Sequence, residues 1–356
     1  MRILHTADTH IGTRQYGLEE RRQDFSSAFA RVIEIAVEQN VDAVVHAGDL
    51  FEDRTPSAED LHETFQTLYG LREAGIPFLG IVGNHERRRG VQWLDLFARL
   101  DLAIHLHADD VYELNGVRFV GLDYAGRRDV EIPDGDADVL VAHQLLDRVQ
   151  PNGELPLEKL WVASFDYVLL GDWHQHEVWR ERDTLVTYPG STERWSLDER
   201  DQRGVNLIDL DSGRLDRQTL ATRRFIYIHD DEDPIQGIDA RRRQMDGAVV
   251  CVYLGSENVN AREIEDHARE RGALAVRVRD RRPDEDDDEQ AVHVDLDVGN
   301  LDALIADRLE SMELSDAARN VDHVIRDLET VDSKVDAEVT KLLDGLTESD
   351  QSGTNN

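Results

Sequence analysis

Five short apolar runs in the first half of the chain each break off at a residue able to ligate a metal, and no other feature restricts the fold as strongly. Arg2 to Ala7 leads into Asp8-Thr9-His10, Asp42 to Ala47 into Gly48-Asp49, and Phe78 to Val82 into Gly83-Asn84-His85. Val139 to Ala142 leads into His143, and Tyr167 to Leu170 into Gly171-Asp172-Trp173-His174-Gln175-His176. Runs this short, bounded by glycine and polar residues, read as buried strands. Helical patterns separate the first three. Phe25, Phe29, Val32, Ile33 and Ala36 share one face of a helix expected from about Glu20 to Gln39, and Leu61, Phe65, Leu68 and Leu71 do so from Ser57 to Ala74. Ser57 followed by Asp60 caps the second helix, and Gly75 and Pro77 end it. The order β-α-β-α-β predicts a sheet that is at least partly parallel. In an open sheet of that kind the carboxyl ends of the strands share one edge, where sites form. The polar strand ends are therefore expected to converge.

The residue types suggest what they would hold. Aspartate, asparagine and histidine without thiolate suit manganese, iron or zinc in a reactive site better than a structural zinc. Four histidines, two aspartates and one asparagine exceed what one ion can use, so two ions are expected, with a carboxylate such as Asp49 able to bridge them. Two ions about 3.5–4 Å apart clamp a phosphoryl group and turn a shared water into hydroxide near neutral pH. The chemistry implied is in-line attack on phosphorus.

These motifs resemble a known family. Asp-x-His, Gly-Asp, Gly-Asn-His, a lone His and a His-x-His pair are similar to the signature of the calcineurin-like metallophosphoesterases. More narrowly, His5-Thr6-Ala7-Asp8-Thr9-His10-Ile11-Gly12, Gly48-Asp49-Leu50-Phe51, Val141-Ala142-His143-Gln144 and Tyr188-Pro189-Gly190-Ser191-Thr192-Glu193-Arg194 resemble the SbcD / meiotic-recombination-eleven family of double-strand break repair nucleases. The resemblance spans about residues 1–200. It implies a four-layer αββα sandwich, a small α+β cap that binds DNA, and a C-terminal helical segment. It also implies two manganese ions held by Asp8, His10, Asp49, Asn84, His143, His174 and His176. Asp49 would be the bridge, with Asp8, His10 and His176 completing one ion and Asn84, His143 and His174 the other. His85 would donate a proton to the leaving sugar oxygen. The activity implied is exonuclease action on duplex ends and endonuclease action on single strands. The partners implied are DNA, a second copy of the chain, and an SMC-like ATPase docked on the C-terminal helices. Three positions depart from the family pattern: Glu52 where histidine is frequent, Glu86 where aspartate is usual, and Asp172-Trp173 between Gly171 and the first histidine of the pair. Other readings of the same residues are a phosphoesterase for a small phosphodiester or phosphoprotein, and a non-catalytic scaffold for the ATPase.

Beyond residue 200 the pattern changes. Val205 to Leu210, Phe225 to His229, Val249 to Leu254 and Ala273 to Val278 read as strands, with a helix from Ala261 to Arg271. Asp284 to Glu289 reads as a solvated acidic loop. Leu301, Leu304, Ile305 and Leu309 mark one helix, and Val321, Leu328, Val335 and Leu342 mark a longer one at seven-residue spacing. The expected division is a nuclease domain over 1–220, a cap over 221–298, a docking segment over 299–346 and a disordered tail over 347–356.

Charge bears on habitat and partner. The net charge is −35, and only three of the 40 basic residues are lysines. Such a surface repels itself in dilute buffer, but the Debye length falls to about 3 Å in molar salt. The composition resembles that of a protein from a salt-accumulating halophile, where a nucleic-acid substrate is compatible with the acidity. The single cysteine, Cys251, excludes an internal disulfide and a thiolate metal cluster, and reads as a buried small hydrophobe. No run reaches the roughly 18 apolar residues of a membrane span, so a soluble cytoplasmic protein is expected. His5 and His46 read as core residues. His105 and His107 form a second His-x-His pair but read as an edge strand rather than as metal ligands, and Arg87-Arg88-Arg89 as a solvated or phosphate-tracking face. Trp93, Leu96, Phe97 and Leu100 read as a core stripe or, by the resemblance, a dimer patch.

Overall fold

The computed structural model describes residues 1–280 apart from 127–129, 134–136, 152 and 256–259. Its first elements are β1 (Arg2–Thr6), α1 (Glu19–Glu38), β2 (Ala43–His46), α2 (Ala58–Glu73), β3 (Phe78–Gly80), α3 (Trp93–Arg99) and β4 (Ile104–His105). There follow β5 (Tyr112–Leu114), β6 (Val117–Leu122), β7 (Val139–His143), α4 (Leu157–Val162), β8 (Tyr167–Gly171), β9 (Glu177–Glu181) and β10 (Thr184–Tyr188). The last are β11 (Gly204–Asp209), β12 (Arg214–Thr219), β13 (Phe225–Ile228), α5 (Pro234–Ala240), β14 (Val249–Leu254), α6 (Ala261–Glu270) and β15 (Ala275–Asp280).

All five expected strands form, but they divide between two sheets. One sheet has the order β12-β11-β1-β2-β3-β4, the other β5-β6-β7-β8-β10-β9. β1 to β4 run parallel in the first, with β11 antiparallel to β1 and β12 antiparallel to β11; β6, β7, β8 and β10 run parallel in the second. The two sheets face each other across one apolar layer. Ile3, Val45 and Leu79 from the first meet Phe119, Val141 and Leu169 from the second. The alternate residues point outward. Leu4, Val44 and Phe78 pack under Phe29, Val32, Leu68 and Phe97 of α1, α2 and α3. Leu140, Val168 and Val186 pack under Leu146, Leu155 and Leu160 on the opposite side. The result is the αββα layering expected from the resemblance, and the sheet-on-sheet contact explains why these strands are apolar on both faces.

Helix α1 carries a feature the apolar stripe did not suggest: Arg21 and Arg22 are buried. Arg22 Nη1 donates to Asp60 Oδ1 at 2.9 Å and lies 3.2 Å from Glu63, and Nη2 lies 3.0 Å from Glu59. Asp60 also completes a capping box with Ser57 at the start of α2. One guanidinium therefore clamps two helices at a cap. Phe97 of the 93–100 stripe is buried while Leu96 and Leu100 are exposed.

β13, β14 and β15 form a separate parallel three-stranded sheet. One face packs Ile226, Val250, Val252 and Val276 against Ile238 of α5 and Ile264 and Ala268 of α6. The other holds Val249, Tyr253 and the buried Cys251 against Leu197, Tyr16 and Leu18 from the earlier part of the chain. The acidic run at 284–289, the segment 299–346 and the tail 347–356 lie outside the described residues. Among the described residues, no helix is long and apolar enough to cross a membrane. Because Arg22→Ala would leave the buried Asp60 carboxylate without its cation, it is expected to lower stability by about 3 kcal/mol. Denaturant unfolding in molar salt checks this, and an unchanged midpoint would rule out the clamp.

Candidate metal centre

The loops that follow β1 and β2 are laced together by their backbones. Asp8 N–H donates to Gly48 O at 3.1 Å, and the N–H groups of Thr9 and His10 both donate to Asp49 O, at 3.0 and 3.1 Å. Asp8, His10, Asp49 and Asp172 all have positive φ, at 51°, 45°, 56° and 89°. Backbone of that kind is strained for L residues by roughly 1–3 kcal/mol each, and it collects where a site must be held in one shape. The glycines beside these residues provide clearance. A Cβ on Gly83 would meet Asp49 Oδ1 at 2.0 Å, and one on Gly171 would meet Ala47 O at 2.1 Å.

Three imidazoles are oriented alike. His143 Nδ1 donates to Ala47 O at 2.7 Å, His174 Nδ1 to Glu199 Oε1 at 2.8 Å, and His10 Nδ1 lies 2.9 Å from Glu52 Oε2. An acceptor on Nδ1 fixes the tautomer and leaves Nε2 as the ligand atom, the usual arrangement behind metal-bound histidine. The Nε2 atoms point inward. His10 Nε2 and His174 Nε2 are 3.1 Å apart, and His143 Nε2 lies 3.3 Å from Asp49 Oδ2 and 3.7 Å from Asp172 Oδ1. Asn84 Oδ1 sits 3.0 Å from His143 Nε2. Turned over, the amide nitrogen would instead donate to both Asp49 oxygens, at 2.9 and 3.2 Å. The oxygen-inward orientation is the one a cation stabilises.

The donor set fits divalent metal. Ligand atoms of Asp8, His10 and His174 form one tight group, and those of Asp8, Asp49 and His143 another, each spanning no more than 4.8 Å. Asp8 Oδ1 accepts from Asp172 N–H at 3.0 Å, but its buried Oδ2 has no donor. A buried, unpartnered carboxylate oxygen is costly unless a cation meets it.

The structure thus brings together Asp8, His10, Asp49, Asn84, His143 and His174. It does not bring His176 to them, and it groups His174 with Asp8 and His10 rather than with Asn84 and His143. The reason is register. β8 ends at Gly171, whose Cα pairs with His143, so the next residue, Asp172, turns its carboxylate toward His143. His174 lies two residues further on, and His176 already abuts β9. Burial, with help from Arg217, lowers the His176 pKa to about 4. Sequence reasoning missed Asp172 as a site carboxylate; the repeated Gly-Asp dipeptide at 48–49 and 171–172 was the available signal.

His85 stands at the rim. Its backbone N–H donates to Asp49 Oδ1 at 3.0 Å and its Nδ1 donates to the Glu52 carbonyl at 3.1 Å, which leaves Nε2 for an incoming group. It faces a cleft of about 640 Å³ lined also by Glu52, Asp53, Arg54, Thr55 and Asn84. The Glu52 carboxylate is committed elsewhere: Oε2 accepts from Thr13 Oγ1 at 2.8 Å and Trp195 Nε1 at 3.0 Å besides meeting His10. Glu86, behind the loop, accepts from Phe51 N–H at 3.1 Å and Gly83 N–H at 3.2 Å, and ties the two ligand loops together. Burial, reinforced by Asp49, raises its pKa to about 7. His46 contacts Thr9 Oγ1 at 3.0 Å, and burial lowers the pKa of both His46 and His5 to about 3, so both are neutral core groups.

Electrostatics at the centre are those of stored negative charge. Burial opposes the imidazolium of His143, but Asp49, Asp172 and Asp8 outweigh it and hold its pKa well above the ordinary value. Burial likewise opposes that of His174, yet Glu199 and Asp8 raise it to about 9. Burial, with repulsion from Asp8 and Asp49, raises Asp172 to about 6.

Residues 1–201 match the family model described as calcineurin-like phosphoesterase. The chain is 43% identical to a DNA double-strand break repair protein Mre11 of Haloferax volcanii, over 98% of this chain and 82% of that one. It is 39% identical to the protein of that name from Halobacterium salinarum, over 98% and 95%, and 38% identical to one from Methanosarcina mazei, over 98% and 60%.

At pH 7 a pKa of about 9 leaves His174 protonated, and the carboxylates around His143 push that imidazole the same way, so a proton must leave before Nε2 can ligate. Divalent metal is therefore expected to release protons on binding, with affinity rising as pH climbs toward 9, the level at which His174 deprotonates. Calorimetric titration in buffers of different ionisation enthalpy reads this directly. Identical heats in all buffers would contradict it.

Proposed function

Because the chain belongs to the calcineurin-like phosphoesterase family and, within it, to the Mre11 double-strand break repair proteins, we propose that it is a two-manganese nuclease that hydrolyses phosphodiester bonds at broken DNA ends. The observation that carries this reading is the convergence of three inward Nε2 atoms with the carboxylates of Asp8, Asp49 and Asp172, among which the buried Asp8 Oδ2 has no donor. In this reading Asp8, His10 and His174 would hold one ion and Asn84, His143 and Asp172 the other, with Asp49 placed to serve both. When bound, the ions supply positive charge to the phosphoryl oxygens and an activated water.

The chain's own residues do the rest. Ala47 O, Glu199 and Glu52 keep each imidazole turned so that Nε2 faces inward. His85, fixed through Nδ1 by the Glu52 carbonyl, presents Nε2 to the cleft as the proton donor to the leaving sugar oxygen. Arg87 and Arg89, which follow His85 closely in sequence and are exposed, are proposed to track phosphates, whereas Arg88 is stacked on Trp93 at 4.7 Å. The activity proposed is exonucleolytic on duplex ends and endonucleolytic on single strands. The three-stranded α+β sheet is proposed as the DNA-binding cap. The exposed Phe65, Tyr69, Leu96 and Leu100 are proposed as a homodimer face. Residues 299–346, outside the described part, are proposed to dock on an SMC-like ATPase, in a cytoplasmic complex.

End-labelled duplex and single-stranded DNA, incubated with manganese in molar salt with and without chelator, tests the activity; no metal-dependent cleavage of either would sink it. Two substitutions are expected to fail differently. Asp49→Ala should lose bound metal, whereas His85→Ala should keep it and slow cleavage by roughly 10²–10⁴-fold. Metal analysis showing that His85→Ala loses both ions would remove the proton-donor role.

The docking segment has its own test. A chain ended near Gly299 should stay folded and keep its manganese, but lose co-purification with the ATPase. Leu328→Asp together with Val335→Asp should reproduce that loss, since each buried apolar side chain is worth about 1.5–3 kcal/mol. Wild-type affinity of the double variant in molar salt would rule out docking through this stripe.

A further inference from the structure

A second cluster of metal-type side chains lies on the outer edge of the first sheet, where β4 ends against α3. One ligand atom each from Asp95, His105 and His107 falls within 4.8 Å of the others. We propose that these three residues form a separate site for a borderline divalent ion of the zinc class. It does not depend on the nuclease reading.

His105 is prepared for this from behind. Its Nε2 lies 3.1 and 3.2 Å from the two Asp123 oxygens, and its Nδ1 lies 2.7 Å from Asp95 Oδ1. A carboxylate on the far nitrogen orients the ring and strengthens the near nitrogen as a ligand, which is how histidines behind bound metals are usually supported. Asp95 divides its oxygens in the same sense. Oδ2 caps α3 by accepting from Gln92 N–H at 2.8 Å, and Oδ1 is turned to His105.

His107 distinguishes a metal site from a simple ion pair. Two carboxylates on one imidazole account for His105, Asp95 and Asp123 without it. Yet the His107 ring is held 4.1 Å from the His105 ring, centroid to centroid, and has no hydrogen-bond partner among the described residues. Its backbone is fixed on both sides, by a bridge to Asp110 and by Gly121 N–H donating to its carbonyl at 3.2 Å. Gly121 permits this approach, since a Cβ there would meet Leu106 Cβ at 2.4 Å. The alternation of residues 105 and 107 along an extended edge puts both rings on one side.

Two imidazoles and one carboxylate, without thiolate, give the donor set of a three-ligand zinc site completed by water. On binding, the proton on His105 Nδ1 goes to solvent and the ion takes its place, while Nε2–H stays with Asp123. Asp123 Oδ1 also accepts from Val82 N–H at 2.8 Å, just ahead of Gly83-Asn84-His85. The site is therefore braced against the loop that carries Asn84 and His85.

The test counts Zn²⁺ per chain by equilibrium dialysis and metal analysis in molar salt, on the full chain and on His107→Ala, an exposed position where folding is not at risk. The wild type is expected to hold one more Zn²⁺ than the variant. With Co²⁺ as the probe, the difference spectrum should show the visible bands of a four-coordinate site. Asp123→Asn should keep the stoichiometry and weaken the extra Zn²⁺ by roughly 10–100-fold. Equal zinc content in the wild type and His107→Ala would overturn the proposal. Unchanged affinity in Asp123→Asn would overturn the supporting role of that carboxylate.

Discussion

Like charge held at close range is the constraint on which the structure turns. Asp8 and Asp49 are buried, and Asp172 lies close enough that both raise its pKa. Carboxylates so placed repel one another in a medium that screens poorly. Something must hold them there, and the surrounding chain supplies it. Backbone N–H groups from each loop bond to carbonyls or carboxylates of the next, and Glu86 collects two more from behind. The two sheets fix the base from which these loops spring. A cation at the centre relieves the repulsion that the backbone sustains without it.

The same need explains why the centre straddles two sheets. Parallel strands deliver several loops to one edge, but neighbouring loops of a single sheet fan out with its twist. Facing a second sheet against the first lets loops from β7 and β8 close over those from β1, β2 and β3. Gly48, Gly83 and Gly171 lie at the closest passages, where a methyl group would strike His143, Asp49 or the backbone. Their spacing beside the aspartates and asparagine is thus steric as much as conformational.

Much of this was legible in the chain itself, and what was not had a common cause. The central strands, α1, α2 and six of the converging polar residues follow from apolar runs and the residues that end them. The division into two sheets does not, because runs of doubly buried strand look the same in one sheet or two. His176 entered the expected set through the His-x-His pair of the resemblance, whereas the approach of Asp172 to His143 depends on the register of β8 against β7, which no motif displays. Glu52 and Trp195 directly follow motif segments, but their contacts with His10 and with each other, like that of Glu199 with His174, join residues far apart along the chain, so no local pattern announces them. The buried Arg22 was hidden in the same way: its partners on α2 lie 38 residues along the chain for Asp60 and 41 for Glu63.

Trp195 gives the centre a property apart from its chemistry. Its ring lies 6.0 Å from that of His10, 5.7 Å from His174 and 6.1 Å from His85, and its indole N–H bonds to Glu52. An indole this close to several ionisable imidazoles has an emission that responds to their charge. The molecule therefore carries an optical gauge of its own interior, sensitive to proton or ion occupancy without any added label.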